Sequence, residues 1–279
     1  MKKALIVISI CLIANPLTVA AATKKHRKKP IAAATQVQAS PAVATTTAMP
    51  TTDNSIPEKS ESETPPSYLD NLSGNLGLTT NYMFRGISLS ANNPAVQGGL
   101  TYTFPVGVYF NVWGSNTDYN APDGKRVSSE FDTIMGWQGS VLEDFTYNLN
   151  FARYNYPGSR SANYNEVNTL FGYKVFQLGL SYTANYSGTH ASGTYVNGIL
   201  TFNLPSKYVY FEDVSFQAGM GHYSLARAAG NSYSDYLMTL TKKISQRYTI
   251  AAMWTGTNGR AHLPPYDGNQ IVGTVSAYF

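Results

Sequence analysis

Glu130 and Asp132 stand two residues apart in Ser129-Glu130-Phe131-Asp132-Thr133, a stretch that alternates polar with apolar side chains. On an extended strand that spacing puts both carboxylates on one face. Arg85, Glu166 and Asp235 are charges in comparable settings, and Tyr109, Asn111 and Trp113 share one parity of a neighbouring run. Such a set is open to different chemistries. Fixed charges beside an aqueous passage select ions by sign. Charges enclosed together form a paired network, because a buried charge needs a partner. Paired carboxylates also bind divalent cations, but no further ligands lie near Glu130 and Asp132, so no metal site is expected. His222 and Ser224 offer a base and a nucleophile, with His190 and His262 in loops. A serine nucleophile needs its base in hydrogen-bond contact and an orienting Asp or Asn. Two residues along a strand are about 7 Å apart, so these side chains read as polar rim residues. Gly98-Gly99, Gly219, Gly221 and Gly273 precede no helix. They read as curvature points in strands rather than phosphate loops, and no cofactor motif is present.

These side chains need strands to hold them. Leu72, Leu76, Leu78, Tyr82 and Phe84 share one parity, and Ser73, Asn75, Thr79 and Asn81 the other. The alternation recurs at Val96-Leu100-Tyr102-Phe104, Phe145-Tyr147-Leu149-Phe151, Phe176-Leu178-Leu180-Tyr182, Val196-Leu200-Phe202-Leu204, Tyr248-Ile250-Ala252-Trp254 and Ile271-Gly273-Val275-Ala277-Phe279. Period two, with Thr, Asn, Gly and Tyr throughout, excludes helices. Twelve strands are expected, at 72–85, 95–104, 107–117, 128–137, 144–155, 164–173, 175–186, 194–204, 213–223, 233–241, 248–257 and 269–279. Their connections alternate. Longer polar loops at 86–94, 118–127, 156–163, 187–193, 224–232 and 258–268 face outward. Turns near Pro105-Val106, 138–143, Lys174, 205–212 and 242–247 face inward, and 205–212 is the least typical of these. An even count with alternating loop lengths fits a closed antiparallel transmembrane β-barrel.

Composition agrees. Charged residues are 13% of the chain, against about 25% in soluble domains. Residues 68–279 carry twelve basic and twelve acidic side chains, so this segment is formally neutral and gives no ground for nucleic-acid binding. Met1-Lys2-Lys3, the apolar run Ala4 to Ala14 and Ala20-Ala21-Ala22 read as a signal peptide over 1–22. The apolar run falls short of the roughly twenty residues that a spanning helix needs. The single cysteine, Cys11, lies inside it, so the mature chain has no disulfide, thiolate or Cys-metal chemistry. Residues 23–67, rich in Ala, Thr, Pro and Ser, read as a disordered periplasmic arm. Its cluster Lys24-Lys25-His26-Arg27-Lys28-Lys29 is a solvated arm or a contact for anionic lipid or cell-wall polymer.

Aromatic residues gather near expected strand ends: Tyr82 and Phe84, Tyr154 and Tyr156, Tyr208, Tyr210 and Phe211, Tyr278 and Phe279. Such rings favour the headgroup level of a membrane. The terminal Phe279, after alternating apolar residues, resembles the C-terminal signal read by the barrel-assembly machinery of outer membranes. Longer stretches carry a second resemblance: Asn81-Tyr82-Met83-Phe84-Arg85-Gly86-Ile87-Ser88, Pro94-Ala95-Val96-Gln97-Gly98-Gly99, Gly107-Val108-Tyr109-Phe110-Asn111-Val112-Trp113-Gly114-Ser115-Asn116, Glu130-Phe131-Asp132, Tyr154-Asn155-Tyr156-Pro157-Gly158 and Tyr164-Asn165-Glu166-Val167. Together these resemble a proteobacterial family of TorF-type porins, catalogued as the conserved Gcw_chp family of unknown function. The resemblance covers roughly residues 70–279. It implies an outer-membrane barrel and a channel, with no catalytic residues, cofactor or established substrate.

A charge facing lipid near the midplane costs about 2–4 kcal/mol for Arg or Lys and less for Asp or Glu. Arg85, Glu130, Asp132, Glu166 and Asp235 are therefore expected in the lumen beside Tyr109, Asn111 and Trp113, as pore lining or as a closed ionic network. The expected function is passive passage of small polar solutes or ions through a narrow lumen in an outer membrane, in contact with its lipid and lipopolysaccharide. The alternatives are a non-conducting barrel with a surface-binding or structural role and, less favoured, a lipase-like barrel enzyme. None of these patterns specifies a solute or an oligomeric state.

Overall fold

The computed structural model describes residues 71–141, 144–209, 211–259 and 266–279. Residues 1–22, expected as a signal peptide, the arm expected at 23–67 with its basic cluster, Tyr210 and His262 lie outside them. Twelve strands form one closed barrel in which each pairs antiparallel with its neighbours: β1 (Leu72–Thr79), β4 (Ala95–Thr103), β5 (Val108–Asn120), β6 (Arg126–Val141), β7 (Phe145–Asn155), β8 (Tyr164–Tyr173), β9 (Phe176–Thr183), β10 (Gly193–Leu204), β11 (Val214–Leu225), β12 (Tyr233–Lys243), β13 (Tyr248–Thr257) and β14 (Gln270–Tyr278). The two short strands β2 (Met83–Phe84) and β3 (Ile87–Ser88) pair only with each other. Consecutive barrel strands are joined by hairpins, and β1 closes the ring against β14 from Asn75 opposite Tyr278 to Thr79 opposite Thr274. Two further backbone bonds, Gly74 N–H to the Phe279 carbonyl (2.8 Å) and Phe279 N–H to the Gly74 carbonyl (3.0 Å), carry the seam to the last residue. A side chain at Gly74 would lie 2.5 Å from the Phe279 ring, so glycine makes room for that aromatic.

Solvation of the barrel is the reverse of a soluble protein's. Leu76, Leu78, Met135, Phe151, Leu180, Leu200, Leu240 and Val275 are exposed around the outside. Asn111, Asn148, Asn150, Asn168, Gln177, Ser181, Asn197, Gln217 and Thr239 are buried inside. A continuous apolar exterior around a polar interior is what lipid requires of a strand-built wall, since period two sends alternate side chains to each solvent.

The expected strand ends hold within a few residues, with one large exception. The first strand stops at Thr79 instead of reaching residue 85. The chain then leaves the sheet, and the β2–β3 hairpin turns inward. Period two continues through Tyr82 and Phe84, so alternation alone assigned them to lipid, yet both are buried. A local polar knot causes the departure. Asn81 Oδ1 accepts the Ser88 hydroxyl (2.6 Å) and the Ser90 hydroxyl (3.1 Å), and the Asn81 amide donates to Asn92 Oδ1 (3.0 Å). Side-chain bonds of this kind give the backbone an alternative to the sheet ladder.

Tyr154 and Tyr156 are likewise buried in the lumen rather than set at a headgroup belt, whereas Phe211 and Phe279 are exposed. The long inner turn after β10 holds the helix α1 (Ser206–Val209), which accounts for its length. Leu180→Arg, on the outer face near the middle of β9, should destabilise the barrel by about 2–4 kcal/mol. Denaturant titration in lipid vesicles measures this, and Ser181→Asn, one residue away on the lumen face, should cost clearly less.

Candidate functional site

The hairpin positions the site. Phe84 pairs with Ile87, leaving Arg85 and Gly86 as a two-residue turn, with φ of 49° and 78° respectively. Positive φ at both positions marks a type I′ turn, which favours Asn-Gly. Gly86 suits it, and a side chain there would meet the Gly256 carbonyl oxygen at 2.7 Å. Arginine at the first position gains nothing from that backbone, so its side chain is what the position uses. Backbone bonds fix the hairpin to the rim: Ser88 N–H to the Tyr266 carbonyl (2.8 Å), Asp118 N–H to the Leu89 carbonyl (2.7 Å), and a bridge between Ile87 and Asp267.

At the tip, Arg85 Nη1 and Nη2 donate to Glu166 Oε2 (3.0 Å) and Oε1 (2.8 Å), a bidentate pair with both side chains about 1% exposed. The guanidinium carbon lies 4.3 Å from the Tyr195 ring centroid, 4.7 Å from Tyr223 and 4.6 Å from Phe84. Tyr154 donates to Glu166 Oε1 (3.1 Å), and Tyr195 to Asp235 Oδ2 (3.0 Å). At the hairpin's root, Glu130 accepts from Tyr82 (2.9 Å) and Tyr156 (3.0 Å), and Tyr82 packs edge-on against Trp113. Asp132 is fully buried between Trp113 and Tyr154 on the flanking strands. The hairpin thus crosses the outer half of the lumen from β1 towards β8 and β10–β13.

Below it the buried polar lining, among the described residues, is of amides and hydroxyls. Tyr109 donates to Asn148 Oδ1 (3.0 Å), Asn150 to the same oxygen (3.1 Å) and Asn168 to Asn150 Oδ1 (3.0 Å), an amide ladder across β7 and β8. Asn111 donates to Thr101 Oγ1 (2.8 Å). All eight lumen candidates from the sequence are therefore buried inside the barrel. Arg85 reaches the lumen from a hairpin turn and not from the first barrel strand, where it was expected. Among the described residues, four carboxylates and one guanidinium make up the buried charge.

Sequence reasoning missed Tyr195, Tyr223 and Tyr233 as lumen residues. Parity held the signal, because each directly precedes or follows a residue on the outer face, such as Val196 or His222. It also missed a reason for Gly221. The Tyr195 ring lies across that residue, where any side chain would collide with it. His222 does not meet Ser224; its Nδ1 lies 2.9 Å from Ser234 Oγ on the adjacent strand, on the outer surface. Among the described residues, no carboxylate or amide bonds to this imidazole, and no group of three His, Cys, Asp or Glu side chains is arranged to hold a metal ion.

A family model described as "Bacterial protein of unknown function (Gcw_chp)" matches residues 63–277. The chain belongs to the Gcw_chp family. No curated protein matches it. Among solved structures, this Gcw_chp chain is similar to a KdgM porin at 10% identity, with 74% of this chain and 98% of that one covered and a TM-score of 0.47. A NanC porin gives 11% identity, 75% and 98% coverage and a TM-score of 0.48. The outer membrane protein OpdK of Pseudomonas aeruginosa gives 14%, 67% and 58%, and 0.38.

Outside the membrane-spanning strands, Asp123 ties two outer loops together. Its carboxylate accepts from Ser161 (2.6 Å), from the Lys125 backbone N–H (3.1 Å) and from Ser159 (2.9 Å). These bonds favour the charged form and lower its pKa to about 2. A depressed carboxylate stabilises above its ordinary value near 3.8 and loses that contribution as pH falls through 2. Carboxyl NMR of Asp123 in micelles should show a midpoint near 2, and Asp123→Asn should loosen the 156–163 loop at neutral pH. Glu166→Ala should leave the Arg85 charge buried without its carboxylate, at a cost of about 3–5 kcal/mol. Hydrogen exchange at the Ser88 and Leu89 amides should accelerate accordingly.

Proposed function

We propose that the chain is a porin of the outer membrane, of the TorF type in a proteobacterium, passing small polar solutes or ions when the β2–β3 hairpin yields. The observation that carries this reading is the inner half of the lumen. Asn111, Asn148, Asn150, Asn168, Gln177 and Asn197 line it, and Asn111, Asn168, Gln177 and Asn197 each keep a side-chain oxygen with no protein hydrogen-bond partner, which suits a polar solute. In this reading Glu130, Asp132, Glu166 and Asp235 form the outer constriction, with Arg85 as its latch, and Tyr109, Asn111 and Trp113 line the path behind it. Export uses the signal at 1–22, and insertion uses Phe279 as the signal to the assembly machinery. The arm 23–67 stays in the periplasm, where residues 24–29 meet anionic lipid or cell wall, and lipid and lipopolysaccharide surround the wall.

The hairpin that fills the outer lumen favours a second reading, a non-conducting barrel with a structural or surface-binding role. The enzyme alternative would rest on His222 and Ser234, which lack an orienting partner among the described residues. Planar-bilayer recording separates the readings. The native chain should show small, intermittent openings. Replacing residues 82–89 by a short Gly-Ser turn should give a steady conductance several-fold larger and cation-preferring. Glu130→Gln with Asp132→Asn should reduce that preference. A hairpin-replaced barrel that inserts but passes no current would end the porin reading.

A further inference from the structure

Arg85 is held as a bound ligand is held. Its guanidinium makes two parallel bonds to one carboxylate, the fork geometry that distinguishes arginine from lysine in recognition. Two tyrosine faces from the barrel wall close on it at 4.3 and 4.7 Å, within cation–π range. The groups that receive it also have contacts in which Arg85 has no part. Tyr154 donates to Glu166. Tyr195 is anchored through its hydroxyl to Asp235, and its ring lies across Gly221. Tyr223 packs edge-on against Tyr195 and Tyr186. Five strands, β7, β8, β10, β11 and β12, therefore build a receptor in the wall. The hairpin inserts into it a residue that its own I′ backbone does not favour.

We propose that Glu166, Tyr195 and Tyr223 form a guanidinium-binding site in the barrel wall, which Arg85 occupies as a tethered ligand. The solutes it takes are small alkylguanidinium cations, and such a solute competes with Arg85 for the site and frees the hairpin. The site stands whether or not the barrel conducts.

The probe is methylguanidinium, with methylammonium as the comparison, and binding is read by calorimetry on the full chain in detergent micelles. Arg85→Asn keeps a residue suited to the turn and empties the site. This variant should bind methylguanidinium saturably, and methylammonium at least about tenfold more weakly. Adding Glu166→Gln should weaken methylguanidinium binding by roughly tenfold or more. Absence of saturable binding, or equal affinity with and without Glu166, would overturn the proposal. The native chain gives an independent reading that needs no variant. Methylguanidinium should speed hydrogen exchange at Ser88 and Leu89 more than methylammonium at equal concentration. Equal effects of the two cations would also overturn it. Binding without current in bilayers would end the porin reading and leave the site, and current without guanidinium binding would do the reverse.

Discussion

A sheet in lipid has no water to satisfy an open edge, and the rest of this structure depends on that constraint. Each barrel strand is paired on both sides, and the ring shuts where β1 meets β14. The seam is narrow in sequence and uses the extreme C-terminus, so that Phe279 bonds through its backbone to Gly74 while its ring covers that glycine. Once the ring is shut, alternation sorts side chains between two solvents. Leucine, valine and phenylalanine take the outside, and amides, hydroxyls and the few charges take the inside.

Enclosure then fixes where charge is placed. The buried ionic groups gather in the outer half of the lumen, around one hairpin, and the inner half is amide-lined. Four carboxylates would repel one another if left alone. Tyrosine hydroxyls take up Glu130, Glu166 and Asp235, and the Arg85 guanidinium neutralises Glu166. Aromatic rings pack around this network: Trp113 against Tyr82, and Tyr195 and Tyr223 over Arg85. The same packing fills the outer half of the lumen.

Much of this was legible in the sequence, for a definite reason. Period two is a purely local signal, so Val196-Leu200-Phe202 and Phe145-Tyr147-Leu149 disclosed their strands directly. The same parity, with the cost of a charge in lipid, placed Glu130, Asp132, Glu166 and Asp235 in the lumen. It failed at Tyr82 and Phe84, because alternation reports that a segment is extended and not which sheet it joins. The departure was written in Asn81, Ser88 and Ser90, whose mutual bonds become visible only when the chain has turned back. The pairing of Arg85 with Glu166 spans 81 residues, and the contact of His222 with Ser234 depends on strand register. Neither follows from local pattern.

The inward hairpin has a consequence in time. Its polar knot joins residues only seven apart, Ser88 to Asn81, whereas the seam joins Thr274 to Thr79 across 195 residues. The entropic cost of closing a loop rises with its length, and hairpins form in about 1–10 μs. By loop length alone the knot is thus the faster and less costly closure and the β1–β14 seam the slower, although the hairpin's bonds to Tyr266 and Glu166 wait on the wall.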